Sequence, residues 1–122
     1  MTTSARILLV ENDENLRQTA REALEQEHYQ VTGCATGQEA LGAMFRSDPD
    51  VLITNIRVPD LEDLHLVITA LSHRPRPRII VLADERTEEL VNAACGLGVE
   101  HVLKKPFPLE ELLRTVRQLL PV

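Results

Sequence analysis

The stretch Val51-Leu52-Ile53-Thr54-Asn55-Ile56-Arg57-Val58-Pro59 decides how this chain folds. Its first four residues are apolar or β-branched without a break. Such a run suits a strand buried on both faces, and strands of that kind belong to parallel sheets. The run ends at Asn55 and opens into Ile56-Arg57-Val58-Pro59. One polar side chain is thereby set at the tip of a buried strand. In open α/β sheets the chemistry sits at that edge, outside the carboxyl ends of the strands. A carboxylate there can bind a metal or carry a phosphoryl group; an amide does neither well.

Working outward, the chain alternates apolar runs with amphipathic segments. Ile7-Leu8-Leu9-Val10 is a first buried strand, followed by Glu11-Asn12-Asp13-Glu14-Asn15. Leu16, Ala20, Ala23 and Leu24 recur at helical spacing behind Asp13, a suitable N-cap. Gln30 to Ala35 is a weaker second strand. Thr36 and Glu39 form a capping box for a helix carrying Ala40, Leu41, Met44 and Phe45, stopped before Pro49. The third strand runs from Val51 to Ile56, and Leu61, Leu64, Val67, Ile68 and Leu71 mark the next helix. Arg78 to Leu82 is a fourth strand, and Thr87 to Leu97 a helix ended by Gly96 and Gly98. His101 to Lys104 is the fifth strand, and Leu109, Leu112, Leu113, Val116, Leu119 and Leu120 line a closing helix. Five β-α units in strict alternation predict a doubly wound, five-stranded parallel sheet with helices on both faces.

With 122 residues the chain fits one domain, 1–122, able to bury a core without metal or disulfide staples. Aromatics make up only 2%, so the core is expected to be aliphatic. A net charge of -6 disfavours nonspecific contact with nucleic acid or an anionic membrane. No apolar run approaches membrane-spanning length. Cys34 and Cys95 match no metal spacing, and with no export segment ahead of them they are expected to be reduced, in the cytoplasm. His28, His65, His73 and His101 are too scattered for a metal site. The basic segment His73-Arg74-Pro75-Arg76-Pro77-Arg78 reads as a stiff solvated loop or, less often, an anion or nucleic-acid contact. Pro121-Val122 is either a terminus or the start of a linker.

Three segments together resemble the receiver domain of two-component response regulators, the CheY-like family. They are Ile7 to Arg17, Val51 to Pro59, and Leu103-Lys104-Lys105-Pro106-Phe107. Each alone is a weak pattern; all three in order, at matching separations and with five β-α units, are specific. The similarity spans about Ala5 to Leu120. It implies a (βα)5, flavodoxin-like fold and a phosphorelay signalling role rather than an enzyme.

In that family an acid pair after the first strand helps bind magnesium, and an aspartate at the third strand tip takes the phosphoryl group. A Ser or Thr ends the fourth strand, a Lys-Pro pair follows the fifth, and an aromatic precedes that lysine by three. Carried over, the acid pair falls on Asn12 and Asp13, the phosphoacceptor on Asn55, the hydroxyl on Ala83, the lysine on Lys105 and the switch aromatic on Val102. Asp60 and Asp63 stand where glycines are usual, so that loop is expected to take another path. Four of six positions lack the needed group. The resemblance therefore implies a degenerate pseudo-receiver: no catalytic residue, no cofactor, and Mg²⁺ held weakly by Asp13 at most or not at all. Lys105 is expected to pair with Asp13, and Asn12 with Asn55.

The partner surface in the family is the face of helix four, strand five and helix five, here Glu88, Asn92, His101, Lys104, Glu111, Arg114 and Arg117. Its mixed signs suit a specific protein contact, an attached output domain, or a homodimer. Two other readings remain. One is a working phosphoacceptor whose aspartate was replaced by Asn55, which leaves Asn12, Ala83 and Val102 unexplained. The other is a flavodoxin-like cofactor protein, but Glu11, Asp13 and Glu14 would repel a phosphate there.

Overall fold

Each apolar run becomes a strand of one parallel sheet. In the computed structural model, which describes residues 4–120, these are β1 (Arg6–Val10), β2 (Gln30–Cys34), β3 (Val51–Asn55), β4 (Arg78–Ala83) and β5 (His101–Lys104). Pro121-Val122 lies outside the described residues. The strand order is β2-β1-β3-β4-β5. The chain leaves β1 toward β2 and then returns past β1 to β3, so the winding direction reverses between β1 and β3. A crevice opens beyond the tips of strands at such a reversal.

Strand alternation divides the core in two. Leu8, Val10, Leu52 and Val81 face one cluster; Ile7, Leu9, Ile53 and Ile80 face the other. The first is covered by α2 (Gly37–Ser47), α3 (His65–Ser72) and α4 (Glu88–Leu97), the second by α1 (Glu14–Gln26) and α5 (Leu109–Leu119). Both are almost wholly aliphatic. Burial of each such side chain stabilises the fold by about 1.5–3 kcal/mol. Phe45 on α2 turns outward and is 66% exposed.

The helix starts follow their caps. Asp13 Oδ1 accepts from the Leu16 amide at 3.0 Å, as the N-cap of α1. Thr36 Oγ1 accepts from the Glu39 amide at 3.2 Å. The Glu39 carboxylate, however, receives the Thr36 hydroxyl at 3.1 Å. A second cap for α2 comes from across the molecule: Asp60 accepts from the Gly37 and Gln38 amides at 2.8 and 3.0 Å. This pulls the β3–α3 loop onto α2 and delays α3. The leucine spacing put that helix from Leu61 onward, but Leu61 sits against Gly37 in the loop, and Leu64 precedes α3 with a left-handed φ of 65°. At α4, Asp84 caps a 3-10 turn, Glu85–Thr87, so the α-helix begins one residue after Thr87.

Candidate functional site

The register sets which residues meet at the strand tips. Leu9 pairs with Ile53 and Val10 with Thr54, so Glu11 and Asn55 leave their neighbouring strands side by side. Asn55 pairs with Leu82, and Ala83 with Lys104. The Lys105 amide donates to the Ala83 carbonyl at 2.7 Å, carrying the ladder one residue past β5. The peptide bond from Lys105 to Pro106 is cis.

Glu11 is the centre of the site. It is charged, yet only 1% exposed. Its Oε1 accepts from Lys105 Nζ at 2.5 Å. Its Oε2 accepts from Asn55 Nδ2 and from the Asp13 amide, both at 2.9 Å. Arg17 donates to its backbone carbonyl at 2.7 Å. A buried carboxylate persists only when a counter-charge and hydrogen bonds offset its lost hydration. Here one ammonium and two N–H groups do so. Asn55 Nδ2 also donates to Asn12 Oδ1 at 3.0 Å, which ties the two amides together. Asn55 Oδ1 is buried and has no hydrogen-bond partner among the described residues.

Two sequence expectations are corrected here. The sequence resemblance puts Asp13 in the acidic pocket and beside Lys105. Its side chain is instead turned back to cap α1, and Glu11, one residue earlier, pairs with Lys105. The reason is local: residue 11 still continues the strand, its amide bonded to the Cys34 carbonyl at 3.0 Å, so its side chain projects into the strand-tip crevice. By residue 13 the chain is already entering the helix. The signal was Val10-Glu11 itself, an acid directly continuing an apolar run.

A 440 Å³ pocket opens outside the network, walled by Asn12, Asn55, Arg57, Ala83, Asp84, Arg86, Thr87 and Lys105. Ala83 offers only a methyl group. The nearby Thr87 hydroxyl is engaged, donating to the Asp84 carbonyl at 2.9 Å and accepting from its amide at 3.1 Å. Val102 is half-buried against the core on the α4 side. Asp63 pairs loosely with Arg57 at 3.5 Å. Backbone donation from Gly37 and Gln38 holds the Asp60 carboxyl below the usual carboxylate range. Burial, then Glu39, pushes the Cys34 thiol up, so it stays protonated and inert; both cysteines are free. Among the described residues no cluster of His, Cys, Asp and Glu could hold a metal ion.

The expected partner face is partly redrawn. Glu88, Asn92, Lys104 and Arg114 are exposed, and His101 and Glu111 partly so. Arg117 belongs elsewhere: it binds Glu27 at 2.8 Å and Glu110 at 3.2 Å, bracing α5 against the end of α1.

With this geometry in hand, comparison with known proteins is specific. The sequence pattern of the response regulator receiver domain matches residues 7–117. The response regulator MprA of Mycobacterium leprae is 36% identical over 116 residues, 94% of this chain and 50% of its own length. The Mycobacterium tuberculosis MprA is 33% identical over 118 residues, 96% of this chain and 51% of its own. This chain thus spans about half the length of these relatives. A CheY-like receiver domain protein from Methanospirillum hungatei superposes with a TM-score of 0.88 at 25% identity, covering 95% of this chain and 93% of that one. The chemotaxis response regulator CheY4 of Vibrio cholerae gives 0.85 at 28% identity, covering 96% and 99%.

Proposed function

The chain belongs to the response regulator receiver domain family, and on that premise we propose that it is a pseudo-receiver, signalling by protein–protein contact without taking phosphate. One observation carries this: Asn55, at the phosphoacceptor position, spends its amide N–H groups on Glu11 and Asn12. A carboxamide oxygen is a poor nucleophile and forms no stable acyl phosphate.

The donor set does not suit Mg²⁺, which wants hard oxygen ligands in near-octahedral array. Two of the positions that would supply carboxylates carry amides. Both oxygens of the remaining acid, Glu11, already face donors, and Asn55 turns N–H groups toward it. The charge that a metal would neutralise is neutralised by Lys105. Ala83 and Val102 remove the hydroxyl and the aromatic that would report phosphate to the α4 face.

Such a domain holds one conformation and presents the surface of α4, β5 and α5 constitutively, to a protein partner, an output domain or a second copy. It is a cytoplasmic signalling module and not an enzyme, with no nucleic-acid or membrane contact of its own; among the described residues no helix is long and apolar enough to cross a membrane. Amide NMR spectra test this. Spectra with Mg²⁺ alone, and with Mg²⁺ plus acetyl phosphate, are expected to superimpose on that of the untreated protein. Movement of the Asn55, Ala83 and Lys105 resonances would contradict it.

A further inference from the structure

At the opposite end of the molecule from the strand tips, α2 and α3 finish side by side. Between their last turns lies a 560 Å³ groove lined by Phe45, Ile68, Thr69, Ser72, His73 and Arg74. Phe45 and Ile68 are 66% and 49% exposed. A single exposed apolar residue is ordinary; two large ones sharing a groove form a patch. The groove is built rather than loose. The His73 ring meets Phe45 edge-on at 5.2 Å, and its Nε2 lies 2.8 Å from Asp48 Oδ1, with the His73 side chain only 8% exposed.

The rim is basic. Arg74 donates to the Leu71 and His73 carbonyls at 3.1 and 2.8 Å, which fixes its guanidinium at the end of α3 with further N–H groups to spare. Along the same segment Arg76 and Arg78 line a second cavity, of 240 Å³, with Gly98, Glu100 and His101. The ion pairs among the described residues involve neither Arg76 nor Arg78. Residues 73–78 thus hold three arginines and no acid, in a chain of net charge -6. The acids beside them are Asp48, which touches His73, and Glu100, which shares the cavity of Arg76 and Arg78; the three arginines outnumber these two, so the rim attracts acidic groups.

We propose that this α2–α3 end is a docking surface for an acidic amphipathic helix of a partner protein. The groove lies between helix ends and exposes no strand edge, so it takes side chains from a helix rather than backbone from a strand. Leucine-type residues fill the Phe45–Ile68 groove, and flanking carboxylates meet Arg74, Arg76 and Arg78. The apolar centre favours a peptide over nucleic acid, whose phosphates would find only the rim. This surface meets the α4-β5-α5 face at His101, which lines the cavity of Arg76 and Arg78, and does not depend on what the strand-tip pocket does.

The test is an NMR titration of the full chain with a synthetic peptide of about 18 residues, Leu at helical spacing and Glu between. A peptide of the same composition in scrambled order and a short single-stranded oligonucleotide serve as comparisons. Saturable shifts at Phe45, Ile68, Thr69 and Arg74 are expected, with at least about tenfold weaker binding of the scrambled peptide. Ile68→Glu and Arg76→Glu, both at exposed positions, should each weaken binding about tenfold while leaving the melting temperature in place. Absence of saturation, an equal response to the scrambled peptide, shifts confined to other faces, or preferential binding of the oligonucleotide would each overturn the proposal.

Discussion

Asn55 Nδ2 donates to Oε2 of Glu11 at 2.9 Å, the same carboxylate whose other oxygen is neutralised by Lys105. On the proposed reading, an acid and a phosphoacceptor-equivalent position that would otherwise face each other across a metal are here joined directly.

Because Glu11 is buried, its partners hold the strand tips together. Lys105→Met leaves an uncompensated buried carboxylate and is expected to destabilise the fold by about 2–4 kcal/mol. Glu11→Gln combined with Lys105→Met removes both charges and should recover part of that loss. A double-mutant cycle from urea unfolding measures the coupling.

Replacing the amides by acids should recreate a site that needs a cation. In Asn12→Asp/Asn55→Asp, three carboxylates crowd one ammonium, so the melting temperature should fall in EDTA and rise with added Mg²⁺. The parent protein's melting temperature should be indifferent to Mg²⁺. Asn55→Asp alone, still lacking an acid at position 12, should respond weakly.

The β3–α3 loop is pinned to α2 at Gly37. A methyl group there would collide with Leu61 and approach Val58, so Gly37→Ala should cost about 1–3 kcal/mol. The same junction gives an acid-range signature. Asp60 has a lowered folded-state pKa, so its stabilisation is complete above the unfolded carboxylate value of about 3.9 and is lost as pH falls through the folded value. Asp60→Asn should therefore be less stable than the parent near neutral pH, with the gap closing in acid, measured by unfolding across that range.

His28 follows the α1 C-cap with a φ of 72° and is exposed. Left-handed backbone costs a non-glycine residue about 1 kcal/mol, so His28→Gly should raise stability by about 0.5–1 kcal/mol in chemical denaturation.

Much of this architecture is legible in the residues. The apolar runs beginning at Ile7, Val51 and Ile79 locate their strands because a strand buried on both faces must be continuously apolar. Asp13 and Thr36 mark helix starts because capping is local chemistry. Asn55 and Ala83 end their strands and Lys105 follows the fifth, as the apolar runs before them imply, because register leaves little freedom there. What failed depended on distant contacts. Asp13 and Glu11 are both acids in one short segment, and only the turn into α1 decides which faces Lys105. The late start of α3 follows from Asp60 reaching back to α2, a partnership across 23 residues that no local pattern displays. Phe45 lies beside the buried face of α2 formed by Gly37, Ala40, Ala43 and Met44, and Arg117 reaches Glu27 across 90 residues, a contact that no local pattern displays.

The central claim is that the Asn55 pocket takes no phosphoryl group. Intact-mass spectrometry with peptide mapping, after incubation with acetyl phosphate and Mg²⁺, tests it most directly. The expected result is an unchanged mass for the parent chain, while Asn12→Asp/Asn55→Asp/Ala83→Thr gains one phosphoryl group at position 55. Stoichiometric incorporation at Asn55 in the parent chain would contradict the account.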